Sequence, residues 1–437
     1  MPNSRSDRDL SHMLERLDFD DPFHVVHPSH RRACTGLGRP LTEFETRRRV
    51  ESLLSRNRRI CSFKGGGVYD HYVPAHVAEI AGRNEFYTSY TPYQPEVSQG
   101  LLQTLFEYQS MMAEIVGMPV VNASMYDWST ALGESALMCN RVTGRTDMLV
   151  PASLSPQRRE VLSTYASSAR INVRYVPVDD ATGQIRAESV AELISDDTAG
   201  VYLENPNYYG IFEGEAPDIV ELAHKHGARA VVGVDPLACG VIKPPGAYGA
   251  DIVVGEAAHL GNPVNFGGPL LGVFAVKDDR ALLRTTPGRL IGLTEDADGV
   301  PGYVMTLQTR EQHIRRQRAT SNICTNEALC AVACAAYLAS LGKRGFVELA
   351  RVLMANAAYA ATAIDAVDGF DAPVHDGIHF REFVVRSRIP WNEVESCLNE
   401  NGITGGIPVD DDRSLFCITD KHTRDDIDRL CSVLGGI

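Results

Sequence analysis

An aspartate at the end of a β-rich run is one residue of this chain whose type and position could serve chemistry. Asp235 closes the run Ala230-Val-Val-Gly-Val-Asp, which lies between Val201-Tyr-Leu-Glu-Asn-Pro-Asn and Asp251-Ile-Val-Val-Gly-Glu-Ala-Ala-His-Leu. Polar residues that follow parallel strands gather at the carboxyl edge of a sheet, where such folds bind ligands. A carboxylate at that edge can pair with a cationic ligand, or it can be a strand-end turn residue with no catalytic role.

The order of these runs is typical of the cofactor half of a pyridoxal-phosphate (PLP) enzyme. In such enzymes the aspartate pairs with the pyridinium nitrogen, and a lysine on the third run holds the cofactor as a Schiff base. The third run here contains no lysine. The chain has six lysines, Lys64, Lys225, Lys243, Lys277, Lys343 and Lys421. Lys243 follows Asp235 too soon and Lys277 follows the next strand, so the sequence predicts half of an enzyme whose other half is elsewhere.

The segment expected to bind the cofactor phosphate is also altered. In PLP enzymes of this fold, amides and hydroxyls at a helix N-terminus hold the phosphate. The corresponding segment keeps Ser129 and Thr130, but Asp127 would repel a phosphate and Trp128 would fill its space. We interpret Asp127 to Thr130 first as a helix cap.

Two segments near the N-terminus could line a site. Lys64-Gly-Gly-Gly-Val-Tyr-Asp-His-Tyr could bring glycine amides to a ligand, with Tyr69, Asp70 and His71 beside it, or could be the entry of the chain into the main domain. Its spacing is not that of a phosphate-binding loop. In the stretch 84–100, prolines restrict the backbone and can hold aromatic residues in place. That stretch could equally plug a domain or subunit contact.

The segment 306–325 is rich in arginine and amide side chains, including Arg310, His313, Arg315 and Arg316. A charge run is usually a solvated helix face. Because arginine forks suit carboxylates and interfaces, an interface or site role is the alternative.

Composition limits the classes of function. The chain has 437 residues and a net charge of −14, which argues against nucleic acid or an anionic membrane as its main partner. The sequence contains no run of about eighteen apolar residues, so we expect no membrane span. The polar N-terminus lacks the apolar core of a secretory signal. Cys330 and Cys334 share an apolar helix face without nearby acids or histidines, so we interpret them as buried thiols rather than metal or redox ligands. We expect a cytoplasmic protein.

The alternation of β-rich and helical runs predicts an α/β fold with a mostly parallel sheet. We expect a helical N-terminal arm over 1–60, a large domain like that of the fold type I PLP-transferases over 61–341, and a small α+β C-terminal domain over 342–437. The region 287–325 is predicted to be a polar, glycine-containing loop. It leads into a helix over 326–341, and a further helix is predicted over 346–367.

Four segments together resemble the glycine cleavage system P-protein, in the N-terminal (alpha) subunit of its two-chain form. They are Gly67-Val-Tyr-Asp-His-Tyr; Glu85-Phe-Tyr-Thr-Ser-Tyr-Thr-Pro-Tyr-Gln-Pro-Glu-Val-Ser-Gln-Gly; Pro287-Gly-Arg-Leu-Ile-Gly; and Leu307-Gln-Thr-Arg-Glu-Gln-His-Ile-Arg-Arg with Ala319-Thr-Ser-Asn-Ile-Cys-Thr. The resemblance runs from about residue 10 to the end of the chain.

This resemblance implies that a partner beta subunit binds PLP and that the two chains, as an α2β2 assembly, complete a site at their interface. The implied reaction decarboxylates glycine and passes the aminomethyl group to the lipoyl arm of the H-protein. The implied catalytic residues are Tyr90, Tyr93, Gln94, Arg310 and His313. The implied substrate or interface residues are His71, Tyr72, an arginine assigned to position 288 in the third segment, Arg315, Arg316, Ser321 and Asn322.

Three departures from the family pattern leave the substrate open. They are Lys64, the segment Asp127-Trp128-Ser129, and Ala257-Ala258-His259. The first alternative is a paralogous subunit that acts on another amino acid in specialised metabolism. The second is a non-catalytic scaffold that only stabilises its partner.

Overall fold

The structure is a computed structural model that describes residues 7–18, 21, 23–31, 38–307, 312–323 and 326–437. The chain forms two compact units, Met1–Arg59 and Ile60–Ile437. The first contains helices α1 (Asp7–Leu17) and α2 (Glu43–Leu54). Thr42 and Glu45 form a capping box at the start of α2, and no residue of α2 is buried, so local side-chain contacts stabilise the N-terminus of that helix.

The second unit contains the remaining elements. Its helices are α3 (Ala75–Ala81), α4 (Asn84–Tyr87), α5 (Gln99–Val116), α6 (Trp128–Thr143), α7 (Pro156–Ala169), α8 (Ala187–Leu193), α9 (Ala216–Lys225), α10 (Arg280–Thr285), α11 (Gln312–Arg315), α12 (Ala328–Asp365), α13 (Trp391–Glu400) and α14 (Arg424–Leu434). Its strands are β1 (Cys61–Ser62), β2 (Val120–Val121), β3 (Asp147–Pro151), β4 (Asn172–Val176), β5 (Thr198–Glu204), β6 (Arg229–Val234), β7 (Ile252–Glu256), β8 (Gly272–Val276), β9 (Leu290–Glu295), β10 (Pro301–Thr306), β11 (Phe370–Asp371), β12 (Glu382–Ser387), β13 (Ile403–Thr404), β14 (Ile407–Pro408) and β15 (Arg413–Cys417).

A seven-stranded sheet in the order β2-β8-β7-β6-β5-β3-β4 forms the centre of this unit. The five strands from β7 to β4 are parallel, whereas β8 and β2 pair antiparallel at one side. Successive residues face opposite cores: Val232 packs in one hydrophobic cluster and Val231 in another. Both faces of the inner strands are therefore covered, which explains why β5, β6 and β7 read as nearly continuous apolar runs. The predicted mostly parallel α/β sheet is confirmed.

The C-terminal part packs a four-stranded antiparallel sheet, β11-β12-β15-β14, against α12, α13 and α14. The helices predicted over 326–341 and 346–367 form one 38-residue element, α12. Gly342 interrupts it with φ 63° and ψ 174°, a conformation that glycine adopts readily. The helix thus crosses position 341, where the sequence suggested a boundary.

The expectation of a loop over 287–325 is wrong for its first half. Strands β9 and β10 form an antiparallel hairpin there, with Gly292 opposite Val304. In its turn Asp296 accepts hydrogen bonds from the amides of Asp298 and Val300, and Gly299 adopts φ 78°. Asx turns and positive-φ glycines stabilise such connections.

None of the helices that the structure describes combines the length and hydropathy needed to span a bilayer.

Candidate functional site

The carboxyl edge of the central sheet carries Asp235, directly after β6. Its Oδ1 accepts a hydrogen bond from the Leu237 amide at 3.1 Å and so caps the short 3₁₀ helix Pro236–Gly240. Asp235 is therefore a strand-end turn residue, as one of the two sequence-based interpretations holds. Its other contacts show that it also has a buried charged partner.

That partner is Arg381, which precedes β12 in the C-terminal part of the chain. Its guanidinium forms an ion pair with Asp235, and the side chains are 1% and 3% exposed. His259, in the loop after β7, places Nε2 3.0 Å from Asp235 Oδ1. Burial opposes ionisation of Asp235, but Arg381 and His259 outweigh it and lower the pKa of Asp235 to about 2. Burial lowers the pKa of His259 to about 4, so the imidazole is neutral near pH 7.

Arg381 has further partners on its other sides. Its Nη1 lies 2.6 Å from His71 Nε2, and His71 Nδ1 lies 3.0 Å from Asp420 Oδ1. The guanidinium carbon lies 3.4 Å from the centroid of the Tyr69 ring. The Tyr69 hydroxyl donates to Glu382 Oε2 at 2.8 Å. The glycine-rich segment therefore packs against a buried ion pair.

The start of α6 is closed by its own side chains. Asp127 accepts from the Thr130 amide at 2.7 Å and forms a capping box with that residue, which confirms the interpretation as a helix cap. The buried Trp128 indole donates to the Tyr202 hydroxyl at 3.0 Å. The Arg158 guanidinium lies 4.2 Å from the centroid of the Trp128 ring. Arg158 is in turn paired with the buried Glu204, 2.7 Å away.

Pyridoxal phosphate does not fit this cleft. The Arg381 guanidinium already pairs with Asp235, the carboxylate that would face a pyridinium. Trp128 packs at the start of α6, where a phosphate would be held. The cavity left between Gly66, Trp128, Arg158 and Asp235 measures about 10 Å³. No lysine reaches it in the part of the chain that the structure describes. Lys277, for example, pairs with Asp251 before β7, at the opposite edge of the sheet.

A second concave region contains Tyr90, which is one of the residues implied by the family resemblance, and Arg289, which contacts another, Tyr93. Its cavity of about 200 Å³, here called the Tyr90 pocket, is lined by Phe86, Tyr87, Ser89, Tyr90, Thr91, Pro92, Leu105, Ala123, Ser124, Arg289, Ile291, Asn326, Ala328 and Leu329. Arg289 Nη2 donates to the Tyr93 hydroxyl at 2.8 Å, and its guanidinium lies 5.2 Å from the Tyr93 ring centroid. Tyr90 is 74% exposed and Tyr93 40%. The motifs 85–100 and 287–292 thus meet at one surface.

The assignment of a site arginine to position 288 is wrong. That position is Gly288, and the arginine of the motif is its neighbour, Arg289. Gly288 adopts φ 70°, and a Cβ there would lie 2.9 Å from Asn122 Nδ2 and 3.1 Å from the Ser124 carbonyl oxygen. Both the backbone conformation and the lack of space therefore favour glycine at 288. The side chain that reaches the Tyr90 pocket belongs to position 289.

The other predicted site residues are dispersed. Gln94 is exposed and precedes the 3₁₀ turn Pro95–Val97, and the Tyr72 side chain is exposed while its amide donates to Asp420. Ser321 donates to Glu134 at 2.8 Å. Exposed side chains are also found at Arg315, Arg316 and Asn322. Arg310 and the side chain of His313 lie outside the described residues.

The family of the chain is decided by a match over almost its whole length. The model of a family described as "Glycine cleavage system P-protein" matches residues 4–434. The chain belongs to the P-protein family. The family resemblance predicted from the four segments is therefore confirmed.

Individual P-protein relatives agree. A probable glycine dehydrogenase (decarboxylating) subunit 1 from Thermococcus onnurineus is 48% identical over 402 residues, which cover 90% of this chain and 89% of the relative. A crystal structure of glycine decarboxylase (P-protein) of the glycine cleavage system, in inhibitor-bound form, matches with a TM-score of 0.91 and 37% identity, covering 100% of this chain and 99% of that one. A sphingosine-1-phosphate lyase from Burkholderia pseudomallei shares the fold, with a TM-score of 0.67, 16% identity, and coverage of 95% and 94%. The fold is that of the PLP-dependent enzymes.

Sequence reasoning missed the residues that fill the cleft of this P-protein chain. Arg381 and Glu382 stand together immediately before the apolar run Phe383-Val-Val. Charged side chains are almost never fully buried unless they are paired, so two of them directly beside an apolar run can indicate a buried ion pair. Arg381 and Glu382 were the sequence feature that could have indicated a buried ion pair, but they do not identify Asp235 as the partner of Arg381.

Proposed function

We propose that this chain is subunit 1 of a two-chain, cytoplasmic glycine decarboxylase, and that a second chain binds PLP through the lysine that this one lacks. The main support for this proposal is that the cleft at Asp235 is filled in a chain that is similar along its length to proteins named subunit 1. A chain that has the fold of a PLP enzyme but no room for the cofactor is best explained by a division of labour between two subunits.

In this proposal the chain contributes the Tyr90 pocket to a site shared with the second subunit. PLP, when bound to the partner, supplies the electron sink for loss of the glycine carboxylate. The residues of this chain bind and orient. Arg289 fixes the Tyr93 ring by a hydrogen bond and a cation–π contact, and prolines 92 and 95 restrict the backbone on either side.

The pocket combines exposed aromatic faces with one guanidinium. Such a surface suits a small amino acid whose carboxylate can approach Arg289, or a lipoyl arm that can lie along Tyr90. The lipoyl-bearing H-protein is the acceptor implied by the resemblance. We infer that these residues line the path between the cofactor on the partner and the arriving lipoyl group.

The three departures from the family pattern do not line this pocket. Trp128 and His259 are buried in the filled cleft, and Lys64 lies on the surface with Nζ 3.7 Å from Glu395. They were the motivation for a paralogue with a different amino-acid substrate. Their positions remove that motivation, and the relatives favour the glycine decarboxylase hypothesis over both the paralogue and the scaffold.

The test is reconstitution from separately purified chains. This chain alone, incubated with PLP and reduced with borohydride, should show no internal-aldimine absorbance and no trapped lysine adduct. Mixing it with the lysine-bearing partner, glycine and a lipoylated carrier should restore glycine-dependent CO₂ exchange. Light scattering measures whether the active species contains two copies of each chain. A stable adduct on a lysine of this chain, or full exchange by the partner alone, would contradict the proposal.

A further inference from the structure

A set of polar side chains from three parts of the fold meets at the closed cleft, and all of them are buried except Asp420, which is partly exposed. We call it the Asp235 cluster, and it consists of Tyr69, His71, Asp235, His259, Arg381 and Asp420. Asp235 and His259 follow strands of the central sheet, Tyr69 and His71 belong to the glycine-rich segment, and Arg381 and Asp420 adjoin strands of the C-terminal sheet. The cluster therefore joins the two sheets of the second unit.

Arg381 is the cation of this cluster. Buried charges persist only when they are paired, and here the guanidinium faces Asp235 on one edge and the neutral His71 on another. Burial lowers the pKa of both His71 and His259, so neither imidazole supplies the positive charge near pH 7.

The surroundings of the guanidinium match those of a planar ligand. The Tyr69 ring stacks on its face at 3.4 Å. His259 meets the Tyr69 ring edge-on, with 5.5 Å between the ring centroids, and lies 5.3 Å from the His71 ring. An aromatic face combined with a carboxylate at the edge is a common way to bind a flat cation.

We propose that Arg381 is a built-in replacement for a cofactor cation: its guanidinium takes the place, at Asp235, of the pyridinium that a PLP enzyme would bind there. Because Arg381 belongs to the C-terminal part of the chain, this ion pair also fixes that part on the carboxyl edge of the central sheet. The cleft is then permanently closed. Removal of the guanidinium should leave a site that a free guanidinium ion refills. The inference does not depend on the proposed function.

The experiment uses full-length Arg381→Ala and thermal unfolding. We expect a lower unfolding midpoint than in the native chain, because Asp235 loses its counter-ion in a buried site. Low-millimolar guanidinium chloride, far below denaturing concentrations, should raise that midpoint in a saturable manner, since a ligand that binds only the folded state stabilises it by mass action. Potassium chloride and tetramethylammonium chloride at equal ionic strength should not.

The matched control is Arg388→Ala, which removes an exposed arginine just after β12. Its midpoint should stay close to that of the native chain, and guanidinium should not raise it. An unchanged midpoint in Arg381→Ala, or a response to guanidinium no larger than to potassium, would overturn the proposal.

A second variant covers the case in which Arg381→Ala fails to fold. The double variant Asp235→Asn with Arg381→Met removes both charges and keeps the volume of the arginine stem. It should fold, be more stable than Arg381→Ala, and show no response to guanidinium. A double variant as insoluble as the single one would refute the charge replacement, because the loss would then come from packing alone.

Discussion

Tyr93→Phe should lower kcat/KM of the reconstituted complex about fivefold without changing its assembly. The lost hydroxyl accepts a hydrogen bond from Arg289 Nη2 at 2.8 Å. A hydrogen bond to a charged group contributes about 1.5–3 kcal/mol. Because Tyr93 is 40% exposed, solvent screening reduces this to about 1 kcal/mol. If that interaction orients the ring in the transition state, about 1 kcal/mol corresponds to about fivefold in rate.

The assay is glycine-dependent CO₂ exchange with saturating partner chain and lipoylated carrier, and kcat and KM are measured separately. Tyr359→Phe is the matched control, because its hydroxyl donates to Asp428 at 2.5 Å on an exposed surface of the C-terminal part. It should leave exchange unchanged. A loss in Tyr93→Phe no larger than in the control refutes the positioning of Tyr93 by Arg289. A loss that disappears at higher partner concentration also refutes it, since the hydroxyl would then serve assembly.

Three further predictions concern stability and reactivity. Trp128→Ala should lower the free energy of unfolding by about 3–5 kcal/mol, because it empties buried volume beneath Arg158. Trp128→Phe should lose less, namely the energy of the smaller lost volume plus about 1 kcal/mol for the missing indole hydrogen bond. Denaturant titration compares the two variants, and equal losses would contradict the packing argument. Burial raises the pKa of Glu213 from 4.5 to about 8, so its contribution to stability is complete below pH 4.5 and is lost as the pH rises through 8. Glu213→Gln should flatten the decline of the free energy of unfolding over this pH range. An unaltered dependence on pH would show that other groups cause the decline. Cys330 and Cys334 are buried thiols, and burial raises the pKa of both, so iodoacetamide should label them only after unfolding; labelling of the native chain, detected by mass spectrometry, would contradict their burial.

The parallel sheet could be predicted because its inner strands each carry an indication in their own sequence. Runs such as Ala230–Val234 are buried on both faces, so their burial is visible as an unbroken apolar stretch. The hairpin of β9 and β10 gave no such indication, since Thr294 and Glu295 on β9 and Pro301 on β10 are exposed and its stability comes from the turn and from pairing. Partly exposed strands lack the contrast that sequence patterns detect.

The Tyr90 pocket and the cleft at Asp235 also differ in how far the sequence predicts them. Tyr90, Tyr93 and the segment 287–292 were identified through motifs, and each motif is a short local segment. The filling of the cleft depends on contacts between distant positions: Arg381 is 146 residues from Asp235 and 310 from His71. Neither residue type nor spacing encodes which buried arginine meets which carboxylate. Only the folded chain, in which the C-terminal sheet packs on the central one, brings them together.

Asp235 has a structural role in the fold that does not depend on a cofactor. Its Oδ1 accepts the Leu237 amide at the start of the 3₁₀ helix, so loss of the carboxylate would remove a cap as well as a charge. The cap contributes about 1 kcal/mol, but it requires Asp235 to be buried as an ion. A buried carboxylate is strongly destabilising unless a cation lies beside it. The carboxylate of Asp235 needs a counter-ion because it is buried, and Arg381 from the C-terminal part provides it at the closed cleft.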